Sequence, residues 1–462
     1  MNYIGTRGFV GDKTFSGALL DGLAPDGGLY VPAHWPTPDF DLNAAALGDY
    51  GTLTEKLLTL FGVDVLGADA VKTAAERTKA AFLRNGETPL TQLDDDLWLL
   101  ELWHGPTLAF KDMAMQMMAP LTDAALAQTN QTLTLVTATS GDTGAAAVRA
   151  FAGSERVRLV VFHPLGRVSP VQRLQMTTVQ ADNVLNVGVA GDFDDCQRMV
   201  KSLLGNAALK ERGLISSVNS INWGRLLGQV PYYLAAAAAS GARHPEFVVP
   251  TGNFGDAFAG WAGRRIGGNV GHLHAAVNGN DALAEVINDG RYIRRPAIPT
   301  ASVSMDVQAP SNFERLVFEA SGRDAATTRA FFETYGAIGS ADVSADLQYA
   351  LRAEVSASSV DEIKTAEAIR HAWDAYGQVV CPHTAVALAA ALERRSAQKN
   401  NSAQIVLATA HPAKFPDFVN KALGFAPEVP EAIQKLHGQK ETIRELANDD
   451  AAALKTVSEF TV

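Results

Sequence analysis

The sequence predicts an α/β fold of mostly parallel open sheets with flanking helices, preceded by a small, mostly helical N-terminal domain. Three observations carry this. Short apolar runs end in glycine-rich turns and pass into alanine-rich helices, as in LTLVTATSGDTGAAAVRAFAG (133–153) and EFVVPTGNFGDAFAGWAGRRIG (246–267). VRLVVFHP (157–164) and QIVLATAHP (404–412) are further strand-like runs. Strands alternating with helical patterns build βαβ units and parallel sheets. The stretch before Trp98 has a different texture, with turn-rich and helix-rich segments.

In chain order, APDGGLYVP (24–32) is dense in turn residues and ends in a short apolar run. HWPTPDFD then adds two prolines. A helical pattern follows over about 50–83, with Leu57, Leu58, Leu60 and Phe61 at near-helical spacing. Residues 1–97 are therefore expected to form the N-terminal domain and 98–462 the α/β core. In such cores ligands bind where strand C-termini meet helix N-termini. The tail after Pro427 is charged and helical in pattern, and carries no assigned function.

The 462 residues are 47% hydrophobic and 19% charged, a balance that fits a folded chain and not a disordered one. The formal charge of −11 lacks the overall basic field of a nucleic-acid binder. Two cysteines, Cys196 and Cys381, make neither a disulfide framework nor a four-thiolate metal site. No metal is expected. The N-terminus has no secretory apolar region. The longest conspicuous apolar stretch, 232–239, is far short of the ~20 residues that span a bilayer. The expectation is a soluble, cytoplasmic protein with neither nucleic-acid nor membrane partners. HExxH and GxSxG are absent, and in GFVGDKT (8–14) Asp12 stands where a phosphate-binding P-loop needs glycine.

Four constellations remain. In HGPTLAFKD (104–112), Lys111 follows Ala109 and Phe110 and precedes a Met-rich helical run. Burial and the positive end of a helix both disfavour an ammonium there. A neutral amine is what Schiff-base chemistry needs, although an exposed lysine starting a helix is the plain alternative. In TATSGDTGAAA (137–147), two glycines flank Asp142 and Thr143 at a strand-to-helix turn whose amides suit a carboxylate. A simple N-cap by Ser140 or Asp142 explains the same residues. PTGNFGD (250–256) can cradle a phosphate on amides and a helix dipole without any lysine, or can be an ordinary capped turn. ATAHPAKFPD (408–417) offers the Thr409 hydroxyl at a strand end and the Lys414 cation nearby, or is a polar loop. Together, a Schiff-base lysine, a phosphate nest, a carboxylate nest and a partner for a ring nitrogen are the parts of a pyridoxal 5′-phosphate site.

The motifs YIGTRG, APDGGLYVP, LELWHGPTLAFKD, TATSGDTGAA, SVNSINWGRLLGQ, PTGNFGD and TAHPAKF follow one another over nearly the whole chain. In this they resemble the threonine synthases of the longer form, with an N-terminal extension domain, in the tryptophan-synthase-β-like group of pyridoxal-phosphate enzymes. The resemblance implies the fold type II architecture, two open, mostly parallel sheets, with a smaller α/β subdomain at about 131–215 inserted in the larger one. It implies that Lys111 holds the cofactor and that Gly252, Asn253, Phe254, Gly255 and Asp256 form the phosphate loop. Thr409 would bond the pyridine nitrogen, and Asp142 would lie near the ring hydroxyl. Thr139, Ser140, Gly141 and Thr143 would face the substrate. Thr251 stands where the family usually has serine, keeping the hydroxyl, and Gly5 stands where serine is frequent.

The implied reaction is O-phospho-L-homoserine plus water to L-threonine plus phosphate, by γ-elimination and β-addition of water. Asn222, Arg225 and Lys414 are candidates for the substrate phosphate. A bidentate arginine suits a phosphate dianion, and a structural ion pair is the alternative for Arg225. His104 either positions substrate or supports Lys111. A phospho-lyase or serine/threonine dehydratase-like β-elimination on the same fold is the rival reaction. The expected partner is a small-molecule substrate, and the expected assembly is a monomer or weak homodimer.

Overall fold

The computed structural model describes residues 1–397 and 402–461. Its strands in chain order are β1 (Tyr3–Gly5), β2 (Tyr30–Pro32), β3 (Leu90–Asp94), β4 (Leu97–Glu101), β5 (Leu133–Ala138), β6 (Val157–Pro164), β7 (Val184–Ala190), β8 (Leu214–Ser216), β9 (Glu246–Pro250), β10 (Leu273–Val277), β11 (Arg291–Ile293), β12 (Ser340–Asp342), β13 (Val355–Ser359), β14 (Gln404–Ala408) and β15 (Arg444–Ala447). Six form one sheet in the order β13-β10-β9-β14-β4-β3, parallel except for β3, which runs antiparallel to β4. Five form a second, wholly parallel sheet in the order β15-β7-β6-β5-β8. Helices between the strands cover both sheets. The structure is thus fold type II, with an N-terminal domain before it.

The central strands explain themselves. EFVVP and QIVLA are buried at every position, as strands covered on both faces must be. Beneath them, Val248 and Val406 pack with Val386 and Leu388 of the helix Pro382–Ala397. On the other face a larger core runs into the N-terminal segment, where Tyr3, Phe61 and Trp223 meet. Leu57, Leu58 and Phe61 are buried there, each contributing about 1.5–3 kcal/mol relative to exposure. APDGGLYVP ends in β2, which pairs antiparallel with β1.

Two segments differ from the sequence expectation. The helical pattern over 50–83 is two helices, Tyr50–Leu60 and Ala68–Phe82. Gly62 (φ 75°) and Gly67 (φ 95°) adopt a left-handed backbone between them, which glycine supplies without a Cβ clash. The tail after Pro427 is not purely helical. Arg444–Ala447 adds β15 to the open edge of the five-stranded sheet, beside β7, before the helix Asp450–Phe460 closes the chain. Among the described residues no helix is long and apolar enough to cross a membrane.

Candidate active site

The strands β4, β14 and β9 are adjacent and parallel, so the loops at their C-terminal ends share one edge. The loop after β4 leads to Lys111, that after β14 carries Thr409, and that after β9 is the turn 251–255. The first two are zipped together. Leu102 N–H donates to Ala408 O (2.9 Å), Phe110 N–H to Thr409 O (2.9 Å) and His411 N–H to Leu108 O (3.1 Å). Asp112, in the first turn of the helix Lys111–Thr129, accepts from Thr107 N–H (2.8 Å) and Thr107 Oγ1 (2.7 Å). Gly105 must be glycine here, because a Cβ would sit 2.5 Å from that of Asp112.

Lys111 is buried as the first residue of its helix, with Nζ 3.4 Å from Asp142 Oδ2. Burial pushes its amine below the ordinary lysine range. Asp142 opposes the shift, while Arg225 and Lys414 add to it. Asp142 itself opens the helix Asp142–Phe151. Its Oδ1 pairs with Lys414 Nζ (2.7 Å) and accepts from Gln172 Nε2 (2.8 Å). Burial pushes this carboxyl up, but Lys414, Lys111 and Gln172 outweigh it and hold the group well below the usual carboxylate range. Lys414 is fully buried and also donates to Thr107 O (2.7 Å).

At the end of β5, Thr139 Oγ1 accepts from the amides of Gly141 and Gly144, both at 2.9 Å. Gly141 has φ 140°, and a Cβ there would lie 2.3 Å from the Gln172 side chain. The turn therefore presents Ser140 and Thr143, both half-buried, at a helix N-terminus. Thr139 is spent on the turn's own shape.

After β9, Phe254 adopts a left-handed backbone (φ 62°), and the helix Gly255–Arg265 begins. A Cβ on Gly252 would sit 2.7 Å from Ser304 O. Among the described residues no protein acceptor meets the amides of Gly252, Asn253 and Phe254. The Asp256 side chain turns to another task. Its Oδ1 accepts from the Tyr232 and Tyr233 hydroxyls, its Oδ2 has no partner, and burial pushes its carboxyl up to about 6.

The remaining expected residues separate into two groups. Thr409 is buried at the edge shared with Lys111. Arg225 is buried close enough to Lys111 and Asp256 to affect both. Its Nη1 donates to Val218 O (3.1 Å), its Nε is unpartnered, and burial lowers it to about 10. Asn222 is different. It caps the helix Trp223–Leu227 through Gly224 N–H (2.9 Å) and donates to Leu19 O (2.8 Å), so both ends of its amide serve the fold. His104 Nε2 lies 2.9 Å from Glu101 Oε2, and Glu101 is also held by Arg84 and Thr91.

Sequence reasoning missed Gln172 and Asn312. Gln172 was detectable only as the fourth residue of SPVQ, a capping box with Ser169, which says nothing of its reach to Asp142. Asn312 donates to Asn253 O from both its backbone and its side chain, across a separation no local motif spans.

Pyridoxal phosphate fits these residues. Three buried cations, Lys111, Arg225 and Lys414, face the carboxylates of Asp142 and Asp256, and Asp256 resists ionisation, so the cluster favours anions. The turn 252–254 has amides free for a phosphate, and Gly252 leaves no room for a side chain.

Comparison with known proteins agrees. A family model described as pyridoxal-phosphate dependent enzyme matches residues 81–410. Models of the threonine synthase N terminus and C-terminal region match 2–78 and 384–457. The chain is 38% identical to threonine synthase of Pseudomonas aeruginosa, over 99% of this chain and 98% of that one. It is 40% identical to that of Methylobacillus glycogenes, over 98% of each. The crystal structure of a pyridoxal-phosphate-bound threonine synthase from Brucella melitensis superposes with a TM-score of 0.94 at 41% identity, covering 100% of this chain and 98% of that one. Yeast threonine synthase gives 0.91 at 32% identity, covering 99% and 98%. With relatives this similar over its full length, the chain belongs to the threonine synthase family of pyridoxal-phosphate-dependent enzymes.

Proposed function

We propose that this protein converts O-phospho-L-homoserine and water to L-threonine and phosphate. The observation that carries the reading is the buried Lys111 amine near two glycine turns, one with unpaired amides at 252–254 and one that presents Ser140 and Thr143 at a helix N-terminus. Lys111 Nζ would bond the cofactor aldehyde, the amides of 252–255 its phosphate, and the Thr409 hydroxyl its ring nitrogen. When bound, pyridoxal phosphate supplies an electron sink for charge left at the substrate carbons.

The protein's own groups do the rest. Ser140 and Thr143 receive the substrate carboxylate at the positive end of a helix, on a turn that Gly141 shapes. Lys111, whose burial disfavours the ammonium form, removes the proton from substrate Cα and then moves protons at Cβ and Cγ. Arg225 offers its guanidinium to the substrate phosphate. Lys414 acts through Asp142, with which it is ion-paired while a second donor goes to Thr107 O. His104 steadies the loop before Lys111 through Glu101. Asn222 shapes the loop beside Arg225 from its capping position.

The N-terminal domain gives way to the catalytic core at β3 (Leu90–Asp94), ahead of the expected boundary at 97, and the five-stranded sheet is the smaller lobe. Cys196 and Cys381, both free and buried, suit a reducing cytoplasm. The enzyme works as a monomer or weak homodimer on a small substrate. The test is to incubate the holoenzyme with O-phospho-L-homoserine and identify both products. L-Threonine and phosphate are expected, whereas 2-oxobutyrate and ammonia would point to the elimination reaction.

A further inference from the structure

We infer that Asn312 and Arg315 are positioning residues that tie the N-terminal segment to the phosphate turn and aim the Phe254 amide at the cofactor phosphate. This rests on the reading of 252–255 as the phosphate site. Both side chains are fully buried. Arg315 donates through Nε to Tyr30 O (3.0 Å), through Nη2 to Ile221 O (2.6 Å) and through Nη1 to Asn312 Oδ1. Its guanidinium lies 5.7 Å from the Trp223 ring centroid. One side chain thus links the strand β2, the loop at Ile221 that leads into the helix bearing Arg225, and Asn312.

The guanidinium has only donors, so Asn312 must turn its oxygen to Arg315. Its Nδ2 then faces the other way, 3.1 Å from both Ser220 O and Asn253 O. The Asn312 backbone N–H donates to the same Asn253 O at 3.1 Å. Two donors on one carbonyl fix the plane of the peptide joining Asn253 to Phe254. In a trans peptide the N–H points opposite to the C=O, so the Phe254 N–H is driven away from Asn312. The same two bonds hold Phe254 in its left-handed conformation, uncommon for a bulky residue. The neighbouring Glu314 reinforces the tie, accepting from Thr6 Oγ1 (2.6 Å) and from Arg7 Nε and Nη2 (3.0 and 2.7 Å).

The experiment compares apoenzyme affinity for pyridoxal 5′-phosphate and for pyridoxal, which lacks the phosphate. The proteins are wild type, Gly252→Ala, Asn312→Ala and Arg315→Lys, each checked by near-ultraviolet circular dichroism. Asn312→Ala is expected to weaken pyridoxal 5′-phosphate binding about tenfold and leave pyridoxal binding unchanged, the effect of losing a buried donor to the turn. Arg315→Lys keeps the charge, loses the fork, and should lower the same ratio in a milder form, so it carries the test if Asn312→Ala does not fold. The phosphorus-31 resonance of the bound cofactor should broaden or shift in both. If wild type prefers the phosphorylated form and Gly252→Ala abolishes that preference, but folded Asn312 and Arg315 variants retain it, the inference is overturned. If wild type shows no preference, the phosphate-site reading fails, and this inference with it.

Discussion

Lys414→Met removes the buried cation that pairs with Asp142 while keeping a side chain of similar length. At an effective dielectric of about 20, unit charges 2.7 Å apart attract by about 6 kcal/mol, and 3.4 Å apart by about 5 kcal/mol. Lys414 is therefore the stronger of the two cations on Asp142. Desolvation of the lysine offsets part of its attraction, and taking one partner from a buried pair has a net cost of about 3–5 kcal/mol. Urea unfolding of the apoenzyme at neutral pH should show a loss of that size. A second consequence concerns Lys111. Lys414 is one of the like charges lowering its pKa, so the variant should carry Lys111 as ammonium to higher pH. The rate at which apoenzyme captures pyridoxal phosphate, followed by absorbance against pH, should then rise at higher pH than in wild type. A stability loss under about 1 kcal/mol together with an unmoved capture profile would refute this account of the buried charge cluster.

Two further outcomes follow. Asp256 is raised by burial to about 6 from an ordinary 3.8, so the folded state holds a proton that the unfolded state has released between those values. Its contribution must fall as pH rises from about 4 to 6, by roughly 3 kcal/mol in all. Asp256→Asn should flatten that stretch of the stability curve, measured by urea unfolding at pH 4 and pH 7. Thr409→Asp replaces a neutral hydroxyl with a carboxylate at the expected ring-nitrogen position. It should raise 2-oxobutyrate relative to threonine from O-phospho-L-homoserine, and an unchanged product ratio would contradict the assignment.

Much of this arrangement is legible in the sequence because it is local. A strand, a glycine turn and a helix N-terminus occupy a dozen consecutive residues, so LTLVTATSGDTG and EFVVPTGNFGD announce both turns. Lys111 stands out because an apolar pair precedes it and a methionine-rich helix follows. The neighbours of these parts are not local. β14, at 404–408, inserts between β9 and β4, and that order brings Thr409 beside Lys111. No residue pattern within QIVLA states which strands will flank it. Lys414 reads as a loop cation because its burial depends on Asp142, which lies far away in the sequence. Asn222 reads as a ligand because the carbonyl of Leu19 that occupies it belongs to the N-terminal segment. β15 is hidden for another reason. Its four residues, RELA, are mostly exposed at a sheet edge and lack the apolar alternation that marks a strand.

The claim on which the site depends is that the amine at position 111 carries the cofactor. Reconstitute the protein with pyridoxal phosphate, reduce it with sodium borohydride, digest it and locate the phosphopyridoxyl group by mass spectrometry. The account predicts that the group sits on Lys111, in the peptide containing GPTLAFK. A group on another lysine, or on none, would contradict it.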